Sequence, residues 1–89
     1  MRFSARVEVR LRPGIADPEG ATVERALPAL GFSDVRDVRA GRAWRFEIEA
    51  DDEAAANGRV DELARRLLAN PVIEDAEYQV VPTVDEEPG

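Results

Sequence analysis

Residues 67–74 have the sequence Leu67-Leu68-Ala69-Asn70-Pro71-Val72-Ile73-Glu74, in which an apolar helical stripe stops and the chain turns toward a strand. Proline disfavours the α conformation in the residue before it, so the helix should end by Ala69 or Asn70. Asparagine tolerates left-handed backbone geometry, and we expect Asn70 to reverse the chain in that conformation. The segment therefore predicts a helix C-cap, a turn, and a last strand from about Ile73 to Val81.

The helix that leads into this turn is predicted to start after Asp51-Asp52-Glu53, because acidic residues favour a helix N-terminus. It should run to about Ala69, and Gly58 should weaken it by roughly 1 kcal/mol relative to alanine. Its buried stripe should contain the apolar residues at helical spacing, Ala56, Val60, Leu63, Ala64, Leu67 and Leu68.

The N-terminal part of the chain predicts a strand and a helix. Residues Arg2 to Leu11 alternate between apolar and polar side chains, which is typical of a half-buried strand. Asp17 is the expected N-cap of the first helix, with Pro18 at its first position. Pro28 predicts a kink or an early end near Leu27. The inward side should contain Val23, Ala26, Leu27 and Leu30, followed by Gly31 as the stop and by Phe32 packing back.

Two further strands are predicted at Asp34 to Ala40 and Ala43 to Ala50, joined as a hairpin at Gly41 and Arg42. The order β-α-β-β-α-β predicts an α+β, ferredoxin-like fold, with a four-stranded antiparallel sheet and both helices on one face. The opposite face should be a solvated surface, or a polar subunit interface, with cross-strand charge pairs among Arg2, Arg6, Arg10, Arg45, Glu47 and Glu49.

Length and charge limit the classes of protein. The 89 residues suffice for one domain, predicted over residues 1–82, and the acidic tail 83–89 should be disordered. The net charge is −7 and the chain has only five aromatic residues, so it lacks the basic stripe of a nucleic-acid-binding protein. All 12 basic residues are arginine. We expect a cytoplasmic protein without membrane contact, because the sequence has neither a bilayer-length apolar run nor a signal-peptide core.

The residue inventory excludes the common kinds of active site. The sequence contains no histidine and no cysteine, which removes Ser-His and Cys-His nucleophiles and ordinary zinc sites. It contains no lysine either, so a Walker A phosphate loop is impossible. The residues alone predict a small module that acts by binding.

Three segments carry a family resemblance: Asp17-Pro18-Glu19-Gly20, the stretch from Val35 to Arg42, and the stretch from Leu67 to Asp75. Together, in this order and spacing, they resemble the PurS subunit of phosphoribosylformylglycinamidine (FGAM) synthase. Ala16, Ala43 and Ala76 depart from it, since larger residues are common there. Our candidates for partner contacts or structural motifs are Asp17, Pro18, Gly20, Arg39, Gly41, Arg42, Asn70 and Glu74.

The resemblance implies a non-catalytic subunit of a ligase complex in purine biosynthesis. Its partners would be a glutaminase subunit (PurQ) and a synthetase subunit (PurL), between which it would support ammonia transfer. The complex would use ATP and Mg²⁺, whereas this chain alone should bind no cofactor and show no activity. The family also implies a homodimer or tetramer.

Two other classes of function remain open at this stage. A regulatory module resembling the ACT domain shares the β-α-β-β-α-β order and would bind an amino acid near the loop Pro13 to Gly20. RNA recognition on the sheet is the weakest hypothesis, because it needs exposed aromatic residues. Trp44 and Phe46 fall instead on the predicted core side of their strand.

Overall fold

A computed structural model of the protein describes residues 1–84. The strands are β1 (Arg2–Leu11), β2 (Gly41–Glu49) and β3 (Glu74–Pro82), and the helices are α1 (Pro18–Ala26) and α2 (Glu53–Leu63). A short 3₁₀ helix (Pro28–Leu30) follows α1, and a π-helical turn (Ala64–Leu68) continues α2. Within these residues, no helix combines the length and the apolar character needed to cross a membrane.

The central strand of the sheet is β1, which pairs antiparallel with both neighbours in the order β2-β1-β3. Val7 lies opposite Trp44 on one side and opposite Tyr78 on the other. β1 and the strand that contains Trp44, which the sequence predicts as neighbours, therefore pair. The predicted charge pairing of the outer face occurs at Arg2 and Glu49, 3.6 Å apart, whereas Arg6 faces another arginine, Arg45.

One face of β1 forms half of the hydrophobic core. The alternation predicted from the sequence places Phe3, Ala5, Val7 and Val9 on that face, and all four are buried. The core is completed by small or branched residues of α2 and by one residue of β3, namely Ala56, Val60, Ala64 and Val80. Small side chains on α2 allow the helix to lie close to the sheet, over β1 and β3.

The predicted strand over Asp34 to Ala40 is wrong, and so is the hairpin that it would form with β2. Among the described residues the sheet has three strands, so the four-stranded ferredoxin-like arrangement is not formed in full. Asp37 has a φ of 56°, in the left-handed region, which interrupts an extended strand. The backbone N–H groups of Val38 and Ala40 donate to side chains of Glu24 and Asp17 instead of to a neighbouring strand.

The first helix begins and ends where the sequence predicts. Asp17 caps it, Pro18 is its first residue, and α1 ends at Ala26 just before Pro28. Gly31, with a φ of 91°, then stops the 3₁₀ helix in the left-handed conformation. The predicted packing is wrong, because this helix does not lie on the sheet beside α2. Of its expected inward residues, Val23 is 47% exposed and Leu30 is 70% exposed.

The second helix ends in a wider turn than predicted. The N–H of Ala69 donates to the carbonyl of Ala64, 2.9 Å away, which is a π-helical bond. The wider turn changes the direction of the side chains, so that Leu67 is 73% exposed and leaves the predicted buried stripe. Asn70 is not left-handed, since Asp37 is the only non-glycine residue with positive φ within residues 1–84.

The predicted tail is described only at its start. Thr83 continues the edge of the sheet, because its N–H donates to the carbonyl of Arg2 and its hydroxyl lies 2.9 Å from that of Ser4. The rest of the predicted disordered segment, residues 85–89, lies outside the described residues.

Two glycines should respond to alanine substitution with opposite signs. A Cβ on buried Gly20 would lie 2.5 Å from Asp17 Oδ2 and 2.6 Å from the Val38 carbonyl oxygen. We expect Gly20→Ala to lower the free energy of unfolding by about 1 to 3 kcal/mol, because the neighbours must move. Gly58 lies inside α2 with nothing within 4 Å of such a Cβ. Gly58→Ala should raise that free energy by roughly 0.5 to 1 kcal/mol.

Urea unfolding at one fixed protein concentration measures both changes. Equal shifts in the same direction would contradict the packing of Gly20 against residues 17 and 38.

Candidate functional site

The three segments that carried the family resemblance meet at one end of the sheet. A groove of about 230 Å³ lies beside the last residues of β1. Five of the eight candidate residues line it, one or two from each segment: Asp17, Pro18, Gly41, Arg42 and Glu74. Segments that are far apart in the sequence thus form a single surface, which we call the motif groove.

Glu74 is the buried acidic side chain of this groove, with 9% of its surface exposed. Its Oε1 atom accepts a hydrogen bond from the backbone N–H of Asn70 at 2.7 Å and one from Arg42 Nη2 at 3.1 Å. The Asn70 N–H, followed by the Arg42 guanidinium, favours the charged form and lowers the pKa of Glu74 below its ordinary value. The carboxylate therefore ties the start of β2 to the turn that precedes β3.

Asn70 shapes this turn with its side chain. Its Oδ1 atom accepts a hydrogen bond from the N–H of Val72 at 3.0 Å, and its carbonyl accepts from Ile73 and Glu74. These bonds form a compact turn without left-handed geometry, because the side-chain oxygen acts as an additional backbone acceptor. Asn70 is thus a structural residue of the turn.

Arg12 belongs to the same network and was not among the predicted residues. Its Nη2 donates to the carbonyl of Pro71 at 2.6 Å, and its Nε lies 3.2 Å from Asp75 Oδ1. An arginine that follows an alternating strand resembles an ordinary surface residue, so the sequence held no signal for this contact. The guanidinium satisfies a carbonyl in the turn and keeps that turn against the end of β1.

Asp17, Gly20 and Gly41 pack closely together on the α1 side of the motif groove. The Asp17 carboxylate accepts from the N–H of Gly20 at 2.9 Å and of Ala40 at 2.8 Å, and these bonds lower its pKa. A Cβ on Gly41 would lie 2.7 Å from the Val9 carbonyl oxygen. The Asp17 carboxylate therefore holds the first turn of α1 to the residue that precedes β2. Gly41, at the start of β2, has no room for a larger side chain.

Arg39 lies outside the motif groove, on its exposed rim. It borders an adjacent groove of about 280 Å³ together with Glu8, Arg10 and Arg42. Within residues 1–84, Arg39 has no acidic side chain within 4 Å. Its guanidinium can therefore pair with an acidic group from outside the chain.

The carboxylates of the motif groove form their hydrogen bonds within the chain. The buried carboxylate, Glu74, has its hydrogen bonds within the chain, and the inventory supplies no nucleophile with a neighbouring base. Within the described range 1–84, no group of three or more acidic, histidine or cysteine side chains could hold a metal ion. The groove can recognise a partner by shape and charge.

Comparison with known proteins gives one consistent result. The family model described as PurS, phosphoribosylformylglycinamidine (FGAM) synthase, matches residues 4–82. The PurS subunit of Methanocaldococcus jannaschii is 38% identical over 78 residues, covering 88% of this chain and 94% of that protein. The PurS subunit of Mycobacterium leprae is 45% identical over 69 residues, covering 78% of this chain and 84% of that protein.

A solved structure described as PurLQS from Thermotoga maritima contains a chain of the same fold. It superimposes with a TM-score of 0.83 at 31% identity, covering 91% of this chain and 99% of that chain. The similarity thus includes both sequence and three-dimensional structure over most of the residues on each side.

Replacing Glu74 tests the network around the motif groove. We expect Glu74→Gln to lower the free energy of unfolding at pH 7 by about 1 to 3 kcal/mol, because the charged acceptor of two hydrogen bonds is lost. Since the pKa of Glu74 is lowered in the folded chain, its contribution is complete above about pH 4.5 and is lost as the pH falls below that value. The wild type should therefore lose more stability than the variant on acidification.

Urea midpoints of both proteins between pH 7 and pH 3 measure this difference. The pH dependence of stability should lessen in Glu74→Gln without vanishing, since the pKa of Asp17 is lowered as well. Glu77→Gln is the matched control, because Glu77 forms an exposed ion pair with Arg10 and its replacement should change little. Parallel pH curves for wild type and Glu74→Gln would contradict the network.

Proposed function

Because the chain belongs to the PurS family of phosphoribosylformylglycinamidine (FGAM) synthase subunits, we propose that it is the small non-catalytic subunit of that enzyme in purine biosynthesis. In this function it bridges a glutaminase subunit (PurQ) and a synthetase subunit (PurL). It supports the transfer of ammonia from the first to the second, for the conversion of the formylglycinamide ribonucleotide to the amidine. The chain contributes contacts that hold the other two subunits in position for this reaction.

The observation that carries this proposal is the likeness to the chain in PurLQS, which extends over 91% of the residues here. A chain that superimposes so fully on a component of such an assembly can occupy the same position. The amino-acid composition agrees with a non-catalytic subunit. Glutamine hydrolysis normally needs a cysteine and phosphoryl transfer normally needs a lysine, and the sequence contains neither. ATP and Mg²⁺ would accordingly be bound by the other subunits.

The proposal includes self-association. Structures of PurS from other organisms have the same fold, and we propose that this chain forms a homodimer or a tetramer. Participation in purine biosynthesis fits a cytoplasmic location. The amino-acid-binding alternative has no support from the comparisons, which consistently give PurS proteins.

A reconstituted complex tests the bridging function. The chain is combined with PurQ and PurL of its own organism, and amidine formation is measured with glutamine or with ammonium as the nitrogen source. Glutamine-driven synthesis should fall at least about tenfold when the chain is omitted, because transfer between subunits is lost; this corresponds to roughly 1.4 kcal/mol in the barrier. Ammonium-driven synthesis should change far less, since external ammonia needs no transfer. Equal glutamine-driven rates with and without the chain would refute the proposal.

The same assay tests the rim of the motif groove as a partner contact. Arg36 and Arg39 are both exposed, lie on the same connecting segment and form no ion pair within residues 1–84. Of the two, only Arg39 lines the groove that lies next to the motif groove and that Arg42 also lines. Arg39→Glu should lower the glutamine-driven rate severalfold by repelling an acidic partner surface. The matched control Arg36→Glu should not, and equal effects of the two would show that Arg39 makes no specific contact.

A further inference from the structure

The outer face of the sheet, which points away from α2 and the core, contains two places where like charges lie directly opposite each other. Glu8 on β1 is paired with Glu77 on β3. Arg6, two residues earlier on the same face of β1, is paired with Arg45 on β2. Like charges in directly opposite positions repel each other and destabilise a sheet. Each pair therefore needs a counter-charge close by.

The acidic pair, Glu8 and Glu77, has its counter-charge within the chain. Arg10 follows Glu8 on the same face of β1, and its Nη1 atom lies 3.2 Å from Glu8 Oε1. Its Nη2 atom donates to Glu77 Oε1, so one guanidinium bridges the two carboxylates. The repulsion between the two acids is thereby offset by charge-assisted hydrogen bonds to a group of opposite charge.

The basic pair, Arg6 and Arg45, has no equivalent bridge. Arg6 lies 3.5 Å from the carboxylate of Glu8, which Arg10 also holds. Arg45 has no acidic side chain within 4 Å in the described part of the chain, residues 1–84. The two guanidiniums thus lack the shared counter-ion that the acidic pair possesses. An anion from outside the chain can provide it.

A cavity of about 490 Å³ lies beside the basic pair, which contributes to its lining. This volume is within the range of sites for small ligands, roughly 300 to 1,000 Å³. Gln79, which is paired with Arg6 on the β3 side, adds an amide donor. The lining residues that belong to the outer face are Ser4, Arg6, Arg45, Glu47, Gln79 and Val81. The cavity therefore offers positive charge and hydrogen-bond donors to a small anion.

We propose that this cavity binds the phosphoryl group of a small molecule between Arg6 and Arg45. A phosphoryl group has nearly two negative charges at pH 7 and several acceptor oxygens, so each guanidinium fork can donate to a different oxygen. A carboxylate has one charge and two oxygens, which a single guanidinium occupies in a bidentate pair. The doubly charged group is therefore the better match for two arginines.

Glu47 limits what the cavity can hold. Its carboxylate lines the same cavity and repels any anion, so the site has room for one phosphoryl group and disfavours a second. The residues that line this cavity are different from those of the motif groove. The proposed site is complete in the isolated chain and does not depend on the bridging function proposed above.

Calorimetric titration of the whole chain with inorganic phosphate, at constant ionic strength, tests the site. Arg45→Gln should weaken phosphate binding about tenfold or more, because charge-assisted hydrogen bonds are lost. Glu47→Gln should tighten it severalfold, because a repelling charge is removed. The matched control Arg36→Gln changes the net charge as Arg45→Gln does. Because Arg36 lies outside the sheet, this control should bind phosphate as the wild type does.

Two further ligands define the chemistry of the site. Acetate should bind more weakly than phosphate at the same ionic strength, because it has one charge and two oxygens. Glycerol 1-phosphate distinguishes the two sources of a phosphoryl group: tighter binding than phosphate assigns the site to phosphate esters, and weaker binding assigns it to the free ion.

Thermal unfolding separates loss of the site from loss of the fold. In phosphate-free buffer, Arg45→Gln should melt at a higher temperature than the wild type, because the repulsion from Arg6 is removed. Adding phosphate at the same ionic strength should raise the melting temperature of the wild type and leave that of the variant unchanged, since only the wild type binds it. A variant that melts below the wild type without phosphate would contradict the repulsion on which the proposal rests.

Nuclear magnetic resonance of the arginine Nε–Hε groups locates the bound anion. Phosphate should shift the signals of Arg6 and Arg45 and leave those of Arg36 and Arg65, which lie outside the sheet, unchanged. These shifts, together with selectivity for phosphate over acetate and weaker binding by Arg45→Gln, support the site. Equal binding of phosphate and acetate, an unchanged affinity in Arg45→Gln, or shifts spread evenly over the arginines would overturn it.

Discussion

One geometric constraint underlies the structure: a single helix covers only about two strands. An α-helix with its side chains is roughly 10 Å wide and neighbouring strands lie about 4.8 Å apart. α2 is accordingly able to bury the core face of β1 and part of β3, where Phe3, Val7 and Val80 are buried. α2 reaches the third strand, β2, only at its C-terminal end, where Arg59 donates a hydrogen bond to the carbonyl of Glu49. Because three strands share one covering helix, Trp44, Phe46 and Ile48 on the core face of β2 stay exposed or half-buried.

Strict periodicity made the main elements predictable. The alternation of Arg2–Leu11 and of Trp44, Phe46 and Ile48 determined two strands, and their core faces, correctly. The segment from Asp34 to Ala40 has its valines three residues apart and lacks this alternation. Its conformation depends on hydrogen bonds to Glu24 and Asp17, which lie well before it in the sequence. Contacts of that kind leave no local pattern, so the predicted strand had no physical basis in the segment itself.

The sequence predicted which segments form the candidate site, but not the hydrogen bonds that join them. Local rules identified Asp17 as a cap and Asn70 as a turn residue, and the structure gives both residues these functions. The rules could not reveal that Glu74 would link Arg42 to the Asn70 turn, because that link depends on how β2 and β3 flank β1. The π turn was equally hidden, since its residues would suit an ordinary α-helix and its wider bond pattern is a tertiary outcome.

The motif groove and the exposed apolar side chains of the sheet are connected through β2. β2 begins at the motif groove, where Arg42 binds Glu74, and it continues with Trp44, Phe46 and Ile48, which are exposed or half-buried. Because Asp17 joins the start of α1 to the residue that precedes β2, the helix, the strand and the motif groove are ordered together. For a subunit without reactive side chains, such ordering is a physical contribution that it can make to its partners: it fixes in advance the geometry of the surface to which they bind.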